Sequence, residues 1–178
     1  MRFEKVSYQQ YLEDCKADEM YPDSEGYLSL CEEEVIRKNY EDIKLPTRAT
    51  KFSAGYDFYA PYEFTLGPGQ TIRISTGIRV FLDDDKFLLC APRSGHGFKA
   101  RIQLDNTVGI IDSDYVRSSN EGHILVKLTN DSHTGKALHV DKGAGLMQAI
   151  ILQYFTVNDD NVTTIRDGGF GSTDKEGK

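Results

Sequence analysis

Two carboxylates and a phenol close the stretch Gly109-Ile110-Ile111-Asp112-Ser113-Asp114-Tyr115, a grouping that could move a proton beside a flat ligand. A carboxylate half-shielded in a cleft can take a proton from water. An aromatic ring three positions later can wall off something the size of a sugar. To be presented that way, Asp112 must follow a buried strand, and the apolar run Val108 to Ile111 reads as one whose last residues emerge at a surface. An aspartate after a strand also serves as a turn-former or helix cap, so the stretch is only suggestive alone. Asp114 reads as structural, a partner for an arginine.

The elements available to position these residues are short. From Ile43 onward, Ile78 to Leu82 and Ile124 to Leu128 are strand candidates, and Gly67-Pro68-Gly69 and Asp83-Asp84-Asp85 are turns. Leu146 to Phe155 is long enough to be helical, yet Ile150-Ile151 and the flanking glycines favour a strand. Many short strands with almost no helix predict an all-β sandwich or barrel. Ahead of them, Ser7-Tyr8-Gln9-Gln10 resembles a capping box that opens a helix through about Cys15. Pro22 to Gly26 reads as a turn, and Glu32 to Lys38 as a second helical piece with acids first and bases last. Solvated decoration is the plain reading of this arm; a partner-binding element is the alternative.

With 178 residues the chain is expected to be one domain with a proper core. It has no leading apolar signal and no run long enough for a bilayer, which predicts a soluble, cytoplasmic protein with no membrane partner. Cys15, Cys31 and Cys90 are odd in number and scattered, so free thiols are expected, with Cys90 packed in the run Phe87 to Cys90. The formal net charge of −7 lies wholly in residues 1–42, which hold twelve Asp/Glu against five Lys/Arg, while the rest has sixteen of each. Without a basic stripe, nucleic acid is excluded as a partner. His96, His123, His133 and His139 show no metal-ligand spacing, and surface or loop roles are expected for all four.

Four further segments surround the acidic stretch in a fixed order: Ser53 to Phe58, Ala91-Pro92-Arg93-Ser94-Gly95, Gly143 to Gln148, and Arg166 to Thr173. With Asn106 six residues before Asp112, the set resembles the five motifs of the trimeric dUTPases over roughly residues 43–174. The resemblance divides the chain into an acidic N-terminal arm (1–42), a β core of the jelly-roll, barrel-like type (43–165), and a glycine-rich C-terminal lid and tail (166–178). It implies hydrolysis of dUTP to dUMP and pyrophosphate, which limits uracil in DNA and supplies dUMP for thymidylate synthesis.

The residue roles follow from the same resemblance. Asp112 matches the base that activates water for attack on the α-phosphorus. Tyr115 would lie under the deoxyribose and leave no room for a 2′-hydroxyl. Asn106 to Asp112, with Gly109, Ile110 and Ile111, would fold as a hairpin that reads uracil by its hydrogen-bonding edge. Arg93, Ser94, Gly95 and Gln148 would hold the phosphates. In the lid, Arg166, Gly171 and Ser172 would hold the outer phosphates and Phe170 would stack on uracil. The implied cofactor is Mg²⁺, carried mainly by the triphosphate, with Asp57 supporting its hydration shell or a neighbouring arginine. The implied assembly is a homotrimer with shared sites.

Several positions depart from the pattern. Val116 to Gly122 is longer than the usual link after the tyrosine, Gly145 stands where an arginine is common, and Met147 where a small residue is usual. Loss of that arginine leaves Asp57 or a neighbour to find another partner. Arg166 lies four positions before Phe170 where five is common, and Asp174 replaces a glycine. Two other functions remain open at this point: a dCTP deaminase of related fold, and a nucleotide-gated interaction protein whose arm or extended loop meets a partner.

Overall fold

In the computed structural model, which describes residues 1–18, 30–164 and 166, the chain opens with strand β1 (Arg2–Lys5). Helix α1 (Tyr8–Cys15) follows, and the Ser7 hydroxyl caps it by accepting from the Gln10 amide at 3.1 Å. Helix α2 runs Leu30–Glu41, longer than expected from its charges, with Glu32 and Glu33 in its first turn and Lys38 in its last. The expected turn at Pro22 to Gly26 lies outside the described residues.

The remainder is almost entirely β. In order come β2 (Thr47–Arg48), β3 (Tyr56–Tyr59), β4 (Phe64–Leu66), β5 (Thr71–Ser75), β6 (Ile78–Phe81) and β7 (Lys86–Pro92). Then follow helix α3 (Ser94–Ala100), β8 (Ile102–Leu104), β9 (Gly109–Asp112), a single 3₁₀ turn (Asp114–Arg117), β10 (Leu125–Asn130), β11 (Leu138–Val140) and β12 (Gly145–Gln153). The strands form a five-stranded sheet ordered β2-β3-β12-β7-β9, a three-stranded sheet β5-β10-β8, and the pairs β11-β4 and β1-β6. Every pairing is antiparallel. The segment from Leu146 is a strand, as its paired β-branched residues require.

One core joins these sheets. Alternate residues point inward, among them Ile72 and Ile74 of β5, Val126 and Leu128 of β10, Phe64 and Leu66 of β4, and Leu88 and Cys90 of β7. Cys90 is buried as expected, and Cys15 is buried as well.

The N-terminal arm is not solvated decoration. Val6, Tyr11, Cys15 and Ile36 are all buried in the same core, and β1 lies antiparallel beside β6, pairing Phe3 with Val80. Gly77 (φ 73°) lies beside the arm: a Cβ there would lie 2.2 Å from Ile43 Cδ1 and 3.4 Å from Tyr11 Cδ2. Only glycine satisfies both that backbone angle and that clearance.

The expectation for His123 is also overturned. Its ring is fully buried; Nε2 accepts the Gly77 amide proton at 2.7 Å, and Nδ1 meets Asp14 Oδ2 at 2.5 Å. An accepting Nε2 fixes the neutral imidazole with its proton on Nδ1, donated to Asp14. His139, by contrast, is exposed on strand β11, beside Asp141.

Candidate active site

Of the Val108 to Ile111 run, Gly109 onward is strand β9, but at the edge of the five-stranded sheet rather than inside it. Ile111 faces inward while Ile110 is 59% exposed. Among the described residues β9 pairs only with β7, with Cys90 opposite Gly109 and Phe87 opposite Asp112. An edge strand leaves a row of N–H and C=O groups on its outer side, the kind of surface a nucleobase edge can pair with.

The segment from Asn106 to Asp112 is a corner and not a hairpin. β8 belongs to the three-stranded sheet and β9 to the other, so the chain crosses between sheets here. A tight turn does it: the Val108 amide donates to the Asn106 carbonyl at 2.7 Å across Thr107, whose φ is 66°. That angle is unusual for a β-branched residue and is strained. Gly109 beside it packs closely on β7: a Cβ would come within 3.1 Å of Cys90 Cβ.

A cleft of about 240 Å³ opens against this corner. Asn106, Gly109, Ile110, Ile111, Asp112, Tyr115 and Arg166 all line it, over a floor that includes Leu104, Ile124, Val126 and Met147. Asp112 is 56% exposed, so it stands at the mouth, less shielded than its sequence context implies. Arg166 bridges both acids: one guanidinium nitrogen meets Asp112 Oδ2 at 2.5 Å and Nε donates to Asp114 Oδ1 at 3.0 Å. Asp114 is thus paired with an arginine, as its position suggested. The guanidinium carbon of Arg166 lies 5.9 Å from the centre of the Tyr115 ring.

Tyr115 is buried. Its hydroxyl donates to the His123 carbonyl at 3.1 Å and accepts from Asn120 Nδ2 at 3.0 Å. Burial raises its phenol above the ordinary value, so the ring is a neutral wall.

The other predicted phosphate contacts gather elsewhere on the chain. Arg93 donates from Nε to Asp57 Oδ1 at 3.0 Å and approaches the Gly145 carbonyl at 3.5 Å. Gly145 makes this pair possible, since a Cβ there would lie 2.1 Å from an Arg93 guanidinium nitrogen. With glycine at position 145, Asp57 has Arg93 as its partner. Gln148 sits on β12 opposite Asp57 of β3 and donates to the Pro92 carbonyl at 3.3 Å. Ser94 and Gly95 are exposed at the start of α3, with no heavy atom within 4 Å of a Cβ built at Gly95. None of Asp57, Arg93, Ser94, Gly95 or Gln148 lines the cleft that holds Asp112. Phe170, Gly171 and Ser172 lie outside the described residues.

Sequence reasoning missed three residues near these groups. Asn120 and His123 fasten the Tyr115 hydroxyl. His96 follows Gly95 directly and has a buried Nδ1 with no partner among the described residues. Burial, then the nearby Arg93 charge, hold its imidazole below the ordinary value. Its adjacency to Arg93-Ser94-Gly95 was the available signal; for His123 there was none, because Asp14 is 109 positions away.

The geometry agrees with the comparisons. The dUTPase family model matches residues 41–174. The chain belongs to the dUTPase family. It is 32% identical over 144 residues to the deoxyuridine 5′-triphosphate nucleotidohydrolase of Lactococcus lactis, covering 79% of this chain and 95% of that one. It is 39% identical over 141 residues to the enzyme of that name from Actinobacillus pleuropneumoniae serotype 3, covering 76% and 90%. The dUTPase structure from Streptococcus mutans superposes with a TM-score of 0.60 at 23% identity, over 89% of this chain and 99% of that one. A phage phi11 dUTPase of S. aureus, described with a structural Mg(II) ion, gives 0.56 at 21% identity, over 70% and 92%. These likenesses support the all-β dUTPase fold. Most of the arm precedes the matched segment.

Proposed function

We propose that the chain hydrolyses dUTP to dUMP and pyrophosphate, with Asp112 as the general base in the cleft beside β9. Membership of the dUTPase family carries the reaction. The observation that carries the site is the convergence of Asn106, Gly109, Asp112, Tyr115 and Arg166 on one cleft. Asp112, exposed at the mouth, takes a proton from water; the resulting hydroxide attacks the α-phosphorus, the bond to the bridging oxygen breaks, and pyrophosphate leaves with that oxygen. The bridge from Arg166 to Asp112 and Asp114 is an ion pair in partial contact with solvent, so an incoming triphosphate can draw the guanidinium onto its own oxygens and free Asp112.

Uracil is read by backbone groups on the outer side of β9. A site whose donors and acceptors are fixed leaves cytosine with its groups reversed, which costs about ten-thousandfold in discrimination or more. The strained Thr107 turn and Gly109 bring that backbone close. Tyr115 faces the sugar and excludes a 2′-hydroxyl by bulk.

Among the described residues no three His, Cys, Asp or Glu side chains are grouped to hold a metal ion. Mg²⁺ keeps much of its water and is gripped mainly by phosphate oxygens. When bound it would neutralise phosphate charge, with Asp57 reaching it only through water. Arg93, Ser94, Gly95 and Gln148 supply phosphate contacts from a second copy of the chain, in a homotrimer with shared sites. Their separation from the Asp112 cleft supports that reading, as do the 92% exposure of Phe98 on α3 and the exposed Ile110. No described helix is long and apolar enough to cross a membrane.

Incubation with dUTP, dCTP, dTTP or UTP and Mg²⁺, followed by identification of products, tests the reading. Pyrophosphate and dUMP from dUTP, with slight turnover of the others, is the expected result. Ammonia from dCTP would replace it with a deaminase.

A further inference from the structure

The two features that depart most from the family pattern, the N-terminal arm and the longer loop after Tyr115, are fastened to one another. The Ser7 amide and hydroxyl both donate to the Glu121 carboxylate, at 2.8 and 2.6 Å. Arg79 joins Glu121 to Glu4 of β1. At the end of the loop, the fully buried His123 is held by Asp14 of α1 on one ring nitrogen and by the Gly77 amide on the other. Between these anchors the loop folds tightly under Tyr115. Gly122 has φ 72°, and a Cβ there would fall 2.5 Å from Val116 Cα.

The Tyr115 hydroxyl ends in this assembly. It donates to the backbone carbonyl of His123 and accepts from Asn120, whose amide also donates to that carbonyl at 3.3 Å. A tyrosine ring pinned only at its backbone can swing about its first two side-chain torsions. One pinned at its hydroxyl as well cannot. The carbonyl that pins it belongs to a residue whose ring the arm locks in place.

We propose that Asp14, His123 and Asn120 are positioning residues through which the N-terminal arm fixes the Tyr115 ring against the sugar, so that the arm sets discrimination between deoxyribonucleotide and ribonucleotide triphosphates. The proposal rests on Tyr115 facing the sugar. None of the three touches substrate; each acts through the tyrosine. A ring with slack admits a 2′-hydroxyl while still covering a deoxyribose, so the loss falls on selectivity rather than on dUTP turnover.

The test is kcat/KM for dUTP and for UTP in the full chain, with four variants. Tyr115→Ala checks the underlying reading and is expected to raise the UTP-to-dUTP ratio most. Asn120→Ala and Asp14→Ala are expected to raise that ratio about tenfold, the order of one lost hydrogen bond, with dUTP turnover within about threefold of the parent. Asp14→Asn keeps an acceptor for the His123 Nδ1 proton and is expected to restore the parent ratio. Asn120 is only half-buried, so Asn120→Ala carries the test if Asp14→Ala does not fold. Should Tyr115→Ala raise the ratio while Asn120→Ala leaves it within twofold of the parent, the positioning role is overturned. Should Tyr115→Ala itself leave the ratio unchanged, the assignment of the sugar face fails, and this proposal with it.

Discussion

Three of the acid–arginine groups in this chain differ chiefly in how far they are withdrawn from water. Arg166 with Asp112 and Asp114 sits at a cleft mouth, the acids 56% and 38% exposed. Arg93 with Asp57 is intermediate, the acid 17% exposed. Arg73 with Asp18 is the extreme, the acid side chain at 0%. An exposed pair is worth little and is easily exchanged, whereas breaking a buried one is costly. A guanidinium that must leave its acid for a phosphate belongs at the exposed end. One that must hold the N-terminal arm against β5 belongs at the other.

The largest effect should come from the exposed group. Asp112→Asn keeps the shape and removes the base, so pyrophosphate release from dUTP is expected to fall by about 10²–10⁴, with the thermal midpoint unchanged. Turnover near the parent level would remove Asp112 from its role. Mixing this variant with Arg93→Ala, after unfolding and refolding the two together, sharpens the contrast between cleft and patch. Activity should return above that of either variant alone, because some assembled sites then draw an intact Asp112 from one copy and an intact Arg93 from another. No recovery would place both residues in the site of a single chain.

The intermediate pair is broken from the side. In Gly145→Ala the new methyl meets Arg93 at 2.1 Å, which forces the guanidinium away from Asp57. KM for dUTP is expected to rise about tenfold, the worth of a charge-assisted contact, accompanied by a lower thermal midpoint. Gly95→Ala separates the two effects. It meets no heavy atom within 4 Å and should leave stability alone, yet it crowds the amide offered to phosphate and should still raise KM. A Gly145→Ala enzyme with parental KM would mean that Arg93 is structural only.

How much of this could be read in advance depended on whether the deciding contact was local. The turns at Gly67 to Gly69 and Asp83 to Asp85, the Ser7 cap and the strand from Leu146 are settled by neighbours in the chain, and they were legible. The edge position of β9 was not, because an apolar run cannot say which strand lies beside it. The arm misled for a related reason. Its buried positions are few and set in short helices among acids, so the pattern resembles a solvated surface although Tyr11, Cys15 and Ile36 are core. His123 and Asn120 stay silent until the fold brings Asp14 and Tyr115 to them.

The buried pair gives the smallest effect and the one with a defined sign. Asp18 accepts from the Ser75 amide at 2.9 Å and from its hydroxyl at 3.1 Å, besides its contact with Arg73. Burial nevertheless outweighs these donors and pushes its carboxyl from 3.8 up to about 6. The folded chain therefore holds a proton there that the unfolded chain has already released. Stability from this group is fully present below about pH 3.8 and is lost as pH rises through about 6. Asp14 works the other way: burial raises it, but the hydrogen bonds from His123 and Gln10 prevail and hold it below 3.8, so its contribution is lost only in stronger acid. His96, lowered by burial, opposes Asp18 in the same range, because below 6.5 the unfolded imidazole takes the proton more readily. The informative quantity is thus a difference between two proteins. Urea unfolding of the parent and of Asp18→Asn at pH 7 and pH 5 should show the parent gaining about 1 kcal/mol more on acidification than the variant. Equal changes in both would mean that the Asp18 carboxylate, however deeply placed, is held charged by Arg73 and Ser75 across the whole range.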